Sequence, residues 1–425
     1  MLLEFEVENF RSFADPVTFS MIASSDRSHA DHLIAMGGSR DRAMRSASIY
    51  GANASGKSNL VMAMGMLQSI VLRSHLAQLG EPMPYFPFKF GRPGEWTSTR
   101  YRVVFLMNGV EYEYSLRHDA ARVYEERLYH YPKNRKAIIF ERVDGRELRA
   151  PQDKGSLRAT AEKTLPNALL LSKAVQDNNP LVMPAFKWFQ ERLMVILKVN
   201  SMVVEERALA RMQQDERFRA LLLKALNMAD LGIVDVRGKV VQMDQEELDR
   251  MPPEIQEQMR GLVKGKIEQW LRLEIKTVHQ AVDEGGKVVQ IEMDFHHEES
   301  LGTQKVFAVM ALILEAMEAG RVLVMDEMDL HLHPHIARFL VELMNDPEQN
   351  RGNAQFVFTT HNTNLIDLNL FRRDQIWFIE KDERGRSSLY SLSDFNVRTD
   401  LRVQKAYEVG RFGAVPFVKG GKVIE

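Results

Sequence analysis

The run Gly51-Ala52-Asn53-Ala54-Ser55-Gly56-Lys57-Ser58 matches G-x-x-x-x-G-K-[ST], and no other part of the chain limits the fold as strongly. That pattern works in one setting: a buried strand leads in, a helix leads out, and small residues between them let amide N–H groups wrap an anion at the helix N-terminus. Both flanks are present. Ala47-Ser48-Ile49-Tyr50 reads as the strand, and Leu60, Met64, Leu67, Ile70 and Val71 recur at helical spacing. Gly51, Asn53, Ala54, Ser55, Gly56, Lys57 and Ser58 are therefore expected to bind phosphate, with Lys57 reaching the β- and γ-phosphates and Ser58 ligating Mg²⁺. The ligand this implies is ATP with Mg²⁺.

Val322-Leu323-Val324-Met325-Asp326-Glu327 is an apolar strand ending in two acids. Acids at a strand end are often simply solvated. Beside a phosphate loop, Asp326 is expected to hold the metal shell and Glu327 to polarise an attacking water as general base. Gln355-Phe356-Val357-Phe358 is a second short buried run, and Thr359-Thr360-His361-Asn362 follows it. An isolated histidine more often packs or caps, but His361, coming after the acidic pair, is expected to sense the γ-phosphate. Glu299-Ser300-Leu301-Gly302-Thr303-Gln304-Lys305 opens a helix whose apolar face is Val306, Val309, Met310, Ile313 and Met317. Ser300 suits an ordinary helix cap, and with Gly302 it equally suits a second anion site.

The rest of the chain frames these motifs. Leu3, Phe5 and Val7 alternate with Glu4, Glu6 and Glu8 as a half-exposed strand, and stretches such as 101–105 and 111–114, split by Asn108-Gly109, predict an antiparallel sheet over about 80–165. Between 181 and 285 the composition shifts to Glu, Gln, Arg, Lys, Leu and Met, with Phe186, Phe189, Leu193 and Leu197 on one helical face and a break at Met251-Pro252-Pro253. That predicts a helical insert too short in heptads for a rope-like coiled coil. The expected domains are an N-terminal lobe over 1–180, the insert over 181–285 and a C-terminal lobe over 286–425. The expected fold class is α/β.

Composition excludes several alternatives. Cysteine is absent from the 425 residues, which removes disulfides, thiolate metal sites and cysteine nucleophiles together. The formal net charge of −2 supplies no global attraction to nucleic acid or anionic lipid, so any such contact must be local. The acidic start, Met1-Leu2-Leu3-Glu4, is unlike a signal peptide, and the longest apolar run, Val306 to Leu314, is far short of the ~20 residues that span a bilayer. A cytoplasmic location without membrane crossing is expected. His331, His333 and His335 alternate, but Pro334 begins a helical pattern that spoils a shared strand face, so zinc is not expected there.

The ordered set of phosphate loop, serine-glycine signature, Asp-Glu strand and histidine resembles the ABC-type P-loop ATPase heads of the RecF and SMC branch, as does the opening Glu8-Asn9-Phe10-Arg11-Ser12-Phe13. A narrower resemblance, to AAA/ABC-like ATPases of the RloA type and the ATPase of the PARIS anti-phage system, is carried by five stretches. They are Ser300 to Lys305, Asp326-Glu327-Met328-Asp329-Leu330-His331-Leu332-His333-Pro334, Thr359 to Thr363, Arg373-Asp374-Gln375-Ile376-Trp377-Phe378, and Gly410 to Pro416. Two departures from transporter heads, Leu301 and Thr303 in the signature and Leu332-His333-Pro334 after the acidic pair, agree with the defence-type relatives.

The resemblance implies an ABC-type head with an antiparallel β subdomain and a helical insert. It implies slow, regulatory ATP hydrolysis in a homodimer or higher oligomer, with ATP sandwiched between one subunit's loop and Ser300 and Gly302 of the other. It adds Arg11 and Asn59 to the nucleotide set and Lys57 and His361 to Glu327 in the hydrolytic set. It further implies control of a separately encoded effector of nuclease or Toprim type, triggered by a phage protein or DNA. A RecF-like DNA clamp, using a patch at Arg207, Arg211, Arg217 and Arg219, is the competing expectation, and a slowly hydrolysing scaffold is a third. The Q-loop glutamine has no secure place; the Pro84 to Phe90 stretch occupies its approximate position.

Overall fold

The structure is a computed structural model that describes residues 1–37, 41–91, 94, 97–145, 147–153, 155–199, 202–242, 271–397 and 401–416. Met251-Pro252-Pro253 lies outside the described residues. Two compact units are present: 1–198 with 315–425, and 199–314.

The first unit holds two sheets. One is antiparallel and seven-stranded, in the order Glu147–Arg149, Ala137–Val143, Val123–His130, Val110–His118, Thr99–Met107, Leu2–Glu8, Val17–Ser20. Leu3, Phe5 and Val7 are buried and the intervening glutamates are half-buried, the period-two pattern read from the sequence. Asn108 and Gly109, at φ 53° and 76°, form the two-residue turn between Thr99–Met107 and Val110–His118, where both positions need left-handed backbone.

The other sheet has six strands in the order Leu193–Ile196, Val322–Met325, Gln355–Thr359, Ser46–Tyr50, Ile376–Lys381, Ser387–Ser391. The first five run parallel and the last antiparallel. Its central strands are buried along their whole length, which suits the apolar run of Val322–Met325 and Phe356 to Phe358. A single core joins the sheets, with Phe5, Phe105 and Tyr114 from one, Ile49, Val324 and Val357 from the other, and Leu60, Met64 and Leu67 from the helix Lys57–Arg73. Gln355, fully buried, accepts from Leu2 N (2.5 Å) and donates to the carbonyls of Leu2 and Met44 (both 3.0 Å), tying the two sheets together.

The second unit carries the helices Met202–Gln214 and Glu216–Met228, then a three-stranded antiparallel sheet of Ile233–Gln242, Leu271–Val282 and Val288–Asp294. The helical insert predicted over 181–285 is corrected in two ways. The stretch after the two helices is sheet, because Ile233, Val236, Ile275 and Val278 bury one face in strands whose other positions are charged. The 181–198 stretch belongs to the first unit. Met183–Lys187 is helical, Trp188–Arg192 is one π-helical turn, and Leu193–Ile196 is a strand paired with Val322–Met325, so Leu193 and Leu197 do not continue a helical face. Stacking of Trp188 on Phe105, at 4.3 Å between ring centroids, accounts for that placement. The unit boundaries accordingly fall at 199 and 314, where the sequence suggested 181 and 285.

Candidate functional site

Three adjacent parallel strands deliver the site. Met325 pairs with Phe358 and Thr359 with Ile49, so the carboxyl ends of Val322–Met325, Gln355–Thr359 and Ser46–Tyr50 lie level. At the ~4.8 Å strand spacing, the phosphate-loop strand and the acidic strand sit about 10 Å apart, with the histidine strand between them. Gly51, Asp326 and His361 leave the sheet along this edge, where ligands bind in open α/β sheets.

Geometry makes the two motif glycines obligatory. A Cβ on Gly51 would stand 2.4 Å from the Ile379 carbonyl oxygen. Gly56 has φ 121°, and a Cβ there would meet Ser387 Oγ at 2.6 Å and Ser12 Oγ at 2.8 Å. Ala54 is also left-handed, at φ 61°. Gly56 caps the helix that begins at Lys57, leaving the first-turn amides directed at the loop. Lys57 is buried and folds back over the loop, its Nζ donating to Gly51 O (2.8 Å) and Ala52 O (3.1 Å). Burial lowers its pKa to about 8 against the opposing pull of Asp326, Glu327 and Asp329.

Asp326 is buried, and its Oδ1 accepts from Thr359 Oγ1 at 2.6 Å. The same hydroxyl accepts from Glu327 N at 2.8 Å, and Met328 N donates to Thr359 O at 3.1 Å. Thr359 thus sets the direction of both acids. Glu327 is exposed with φ 47°, a left-handed conformation unusual for a glutamate and of the kind that gathers at functional sites. Although His361 is exposed as a residue, partial desolvation of its ring, and then Lys57, hold its pKa below the ordinary value.

A cavity of about 490 Å³ is lined by residues 53–59 together with Glu327, His361 and Lys381. Its size is that of small-ligand clefts, roughly 300–1,000 Å³. Asn53, Ala54, Ser55, Gly56, Lys57, Ser58, Glu327 and His361 are thus brought together as the sequence suggested. Asn59 also lines it, but its amide donates to Ser12 Oγ at 2.7 Å. Arg11 lies outside the lining; its backbone N donates to Phe86 O at 2.7 Å and its guanidinium sits 5.2 Å from the Phe86 ring centroid. The Pro84 to Phe90 stretch holds no glutamine and instead braces the N-terminal turn, Phe88 N donating to Asn9 Oδ1 at 2.9 Å.

Ser300 and Gly302 lie in the second unit, at the start of the helix Leu301–Ala319. Ser300 Oγ accepts from Thr303 N at 3.1 Å, so it does cap that helix. His333 also caps, its Nδ1 accepting from His335 N at 3.3 Å ahead of Pro334–Asn345. Sequence reasoning passed over Thr359, Lys381, Ser12 and Ser387. Thr359 had a visible signal as a polar residue closing a run of buried apolar ones, and Ser12 stood within the Glu8 to Phe13 stretch.

The site fits a nucleoside triphosphate by its own features: two glycines with no room for a Cβ, a helix N-terminus, a buried lysine, and an acid pair aimed by one hydroxyl. Ser58 and Asp326 are the residues that would hold Mg²⁺. Residues 46–367, most of the chain, match the family described as "AAA domain, putative AbiEii toxin, Type IV TA system". The chain belongs to this family of AAA-domain ATPases. Among solved structures it is similar to an SMC head bound to the C-terminal winged-helix domain of ScpA, at 12% identity over 96% of this chain and 99% of that one, TM-score 0.40. It is also similar to the SMC head domain from Thermotoga maritima, at 14% identity over 92% and 98%, TM-score 0.39. No curated protein matches. Among the described residues no helix is long and apolar enough to cross a membrane.

Proposed function

We propose that the chain is an ATP-hydrolysing dimeric switch of a prokaryotic anti-phage, restriction-associated system, acting in the cytoplasm on a separately encoded effector of nuclease or Toprim type. The observation that carries the ATPase part is the meeting of Lys57, Glu327 and His361 around one cavity at the ends of three parallel strands, with Asp326 buried at the end of the acidic strand beside it. ATP binding exchanges the Lys57 contacts with Gly51 O and Ala52 O for β- and γ-phosphate oxygens, which are stronger acceptors. Ser58 and Asp326 would hold Mg²⁺, which when bound would supply charge neutralisation at the phosphates. Glu327 takes the proton of the attacking water, and His361 donates to the γ-phosphate. Arg11 swings from Phe86 to the nucleotide, while Ser300 and Gly302 of one subunit close over the phosphates of its partner.

The defence assignment draws on the family's description, which names a toxin of a toxin–antitoxin system, and on the sequence resemblance to ATPases of the RloA and PARIS type. The DNA-clamp reading is weaker. Arg219 pairs with Asp235 and Arg211 lies 3.8 Å from Asp215, so acids already offset part of the arginine patch.

Sedimentation of the full chain tests the switch. Glu327→Gln with saturating ATP and Mg²⁺ should accumulate a dimer, and Lys57→Ala should bind no nucleotide and stay dispersed. A Glu327→Gln protein that keeps its nucleotide-free distribution, or a Ser300→Ala protein hydrolysing as fast as wild type, would overturn the sandwich.

A further inference from the structure

Away from the nucleotide cavity, His29, Asp31 and His32 bring two imidazoles and a carboxylate together, each offering a ligand atom within 4.8 Å of the others. Asp31 and His32 lie within a single 3-10 turn, Ala30–His32, preceded by His29 at φ 43°, and the two rings stack at 4.6 Å. The tautomer of each ring is fixed by its neighbour. His29 Nε2 lies 2.8 Å from Leu368 O, and a carbonyl only accepts, so Nε2 carries the proton and Nδ1 the lone pair. His32 Nδ1 lies 3.0 Å from Gln375 Oε1. That atom already accepts from Arg372 N at 2.9 Å, while Gln375 Nε2 donates to Ser46 O and Ser46 Oγ, both at 3.0 Å, so the amide cannot be flipped. Nδ1 of His32 is therefore the donor and Nε2 the lone-pair atom.

We infer that His29 Nδ1, His32 Nε2 and the Asp31 carboxylate form a binding site for a divalent transition-metal ion of the zinc type, with water completing the shell. An imidazole whose second nitrogen donates to a carbonyl or amide oxygen is the arrangement that orients metal-bound histidines and raises their basicity. Two imidazole nitrogens and one carboxylate oxygen with an open position suit Zn²⁺. Ligand atoms on a tetrahedral Zn²⁺ at ~2.1 Å stand about 3.4 Å apart, inside the 4.8 Å limit the three groups already meet, so small side-chain shifts, chiefly of the exposed Asp31, close the triad. Asp31 is exposed and able to move, whereas His32 is buried and fixed.

The support behind the triad is the Arg372-Arg373-Asp374-Gln375 segment. Arg372 is fully buried, donates to both Asp374 oxygens (2.9 and 2.8 Å), and reaches the carbonyls of Ser28 (2.5 Å) and Asp26 (2.8 Å). Asp374 in turn accepts from Ser24 N and Oγ. Gln375 links His32 to Ser46, the first residue of the phosphate-loop strand.

The test is Zn²⁺ titration of the metal-stripped full chain against a chromophoric chelator, without nucleotide and with excess Mg²⁺ to occupy oxygen sites. Wild type should bind one equivalent that persists when His331, His333 and His335 are all replaced by Asn. Asp31→Asn and His29→Gln should each weaken it at least tenfold, and the exposed position of Asp31 keeps that variant folded. Wild type lacking a tight equivalent, or a folded Asp31→Asn/His29→Gln double variant binding as wild type does, would overturn the site. Neither outcome depends on ATP hydrolysis.

Discussion

Replacing Thr359 with Val deletes one hydroxyl from beneath the acid pair and leaves the side chain's shape almost intact. That hydroxyl donates to Asp326 Oδ1 at 2.6 Å and accepts from Glu327 N at 2.8 Å. Thr359 is fully buried, so water cannot substitute for it. A hydrogen bond to a charged group is worth about 1.5–3 kcal/mol, and a buried amide left without an acceptor costs about 1–3 kcal/mol more. The larger effect falls on metal binding, because losing the group that orients a ligating carboxylate costs about 10–100-fold in affinity. The assay is steady-state hydrolysis over a matrix of ATP and Mg²⁺ concentrations. The half-saturating Mg²⁺ concentration should rise by about 10–100-fold in Thr359→Val, with nucleotide affinity in the absence of Mg²⁺ held at the wild-type value. Thr359→Ser keeps the hydroxyl and should restore the Mg²⁺ dependence. Adding Thr359→Val to Asp326→Asn should cost little further, since both act on one contact. A folded Thr359→Val enzyme with wild-type Mg²⁺ dependence would refute the assignment of Asp326 as the metal partner aligned by this residue.

Glu126 is fully buried and accepts from Leu170 N (2.6 Å), Leu171 N (2.9 Å) and Tyr114 Oη (3.1 Å), with Arg142 Nη1 at 3.7 Å. Glu126→Ala strands the Arg142 charge and should cost about 3–5 kcal/mol in urea denaturation, more than the matched Glu126→Gln. The second expectation concerns pH: with a pKa of about 8, Lys57 is cationic below that value and neutral above it, so Mg²⁺-free affinity for the anionic nucleotide should fall as pH rises through 8. Fluorescent-nucleotide titrations between neutral and alkaline pH check the sign, and Lys57→Arg should flatten the profile.

The parts of the site legible in the sequence are those whose chemistry is local. A phosphate loop needs its glycines, lysine and serine side by side, and an acidic strand end declares itself by the switch from apolar to Asp-Glu. The parts that were hidden act across long sequence separations. Thr359 meets Asp326 only because the two strands pair, and Ser387 reaches Gly56 only because Ser387–Ser391 folds back along Ile376–Lys381. The second unit was misread for a related reason. Its strands carry charges such as Arg237, Lys239, Glu274 and Lys276, residues that favour helices when counted, while the apolar face that makes them strands alternates too sparsely to dominate the composition.

The N-terminal turn shows how distant segments shape the loop before any ligand arrives. Ser12 Oγ accepts from Asn59 Nδ2, Ser12 O accepts from Ser387 N at 2.7 Å, and Ser387 Oγ donates to Ser55 O at 2.5 Å. These contacts grip the phosphate loop from two sides, one reached from the seven-stranded sheet through Leu2–Glu8 and the other from the edge of the six-stranded sheet. Such bracing lowers the ordering cost of binding by holding the loop in place beforehand. It also makes the loop sensitive to the antiparallel sheet. A shift of the Leu2–Glu8 strand that carries Ser12 with it disturbs the bonds to Asn59 on the first turn of the helix and to Ser387. The stretch Glu8-Asn9-Phe10-Arg11-Ser12-Phe13 therefore has a mechanical place in this chain. Its Ser12 links the β subdomain to the phosphate loop through hydrogen bonds at both the hydroxyl and the carbonyl.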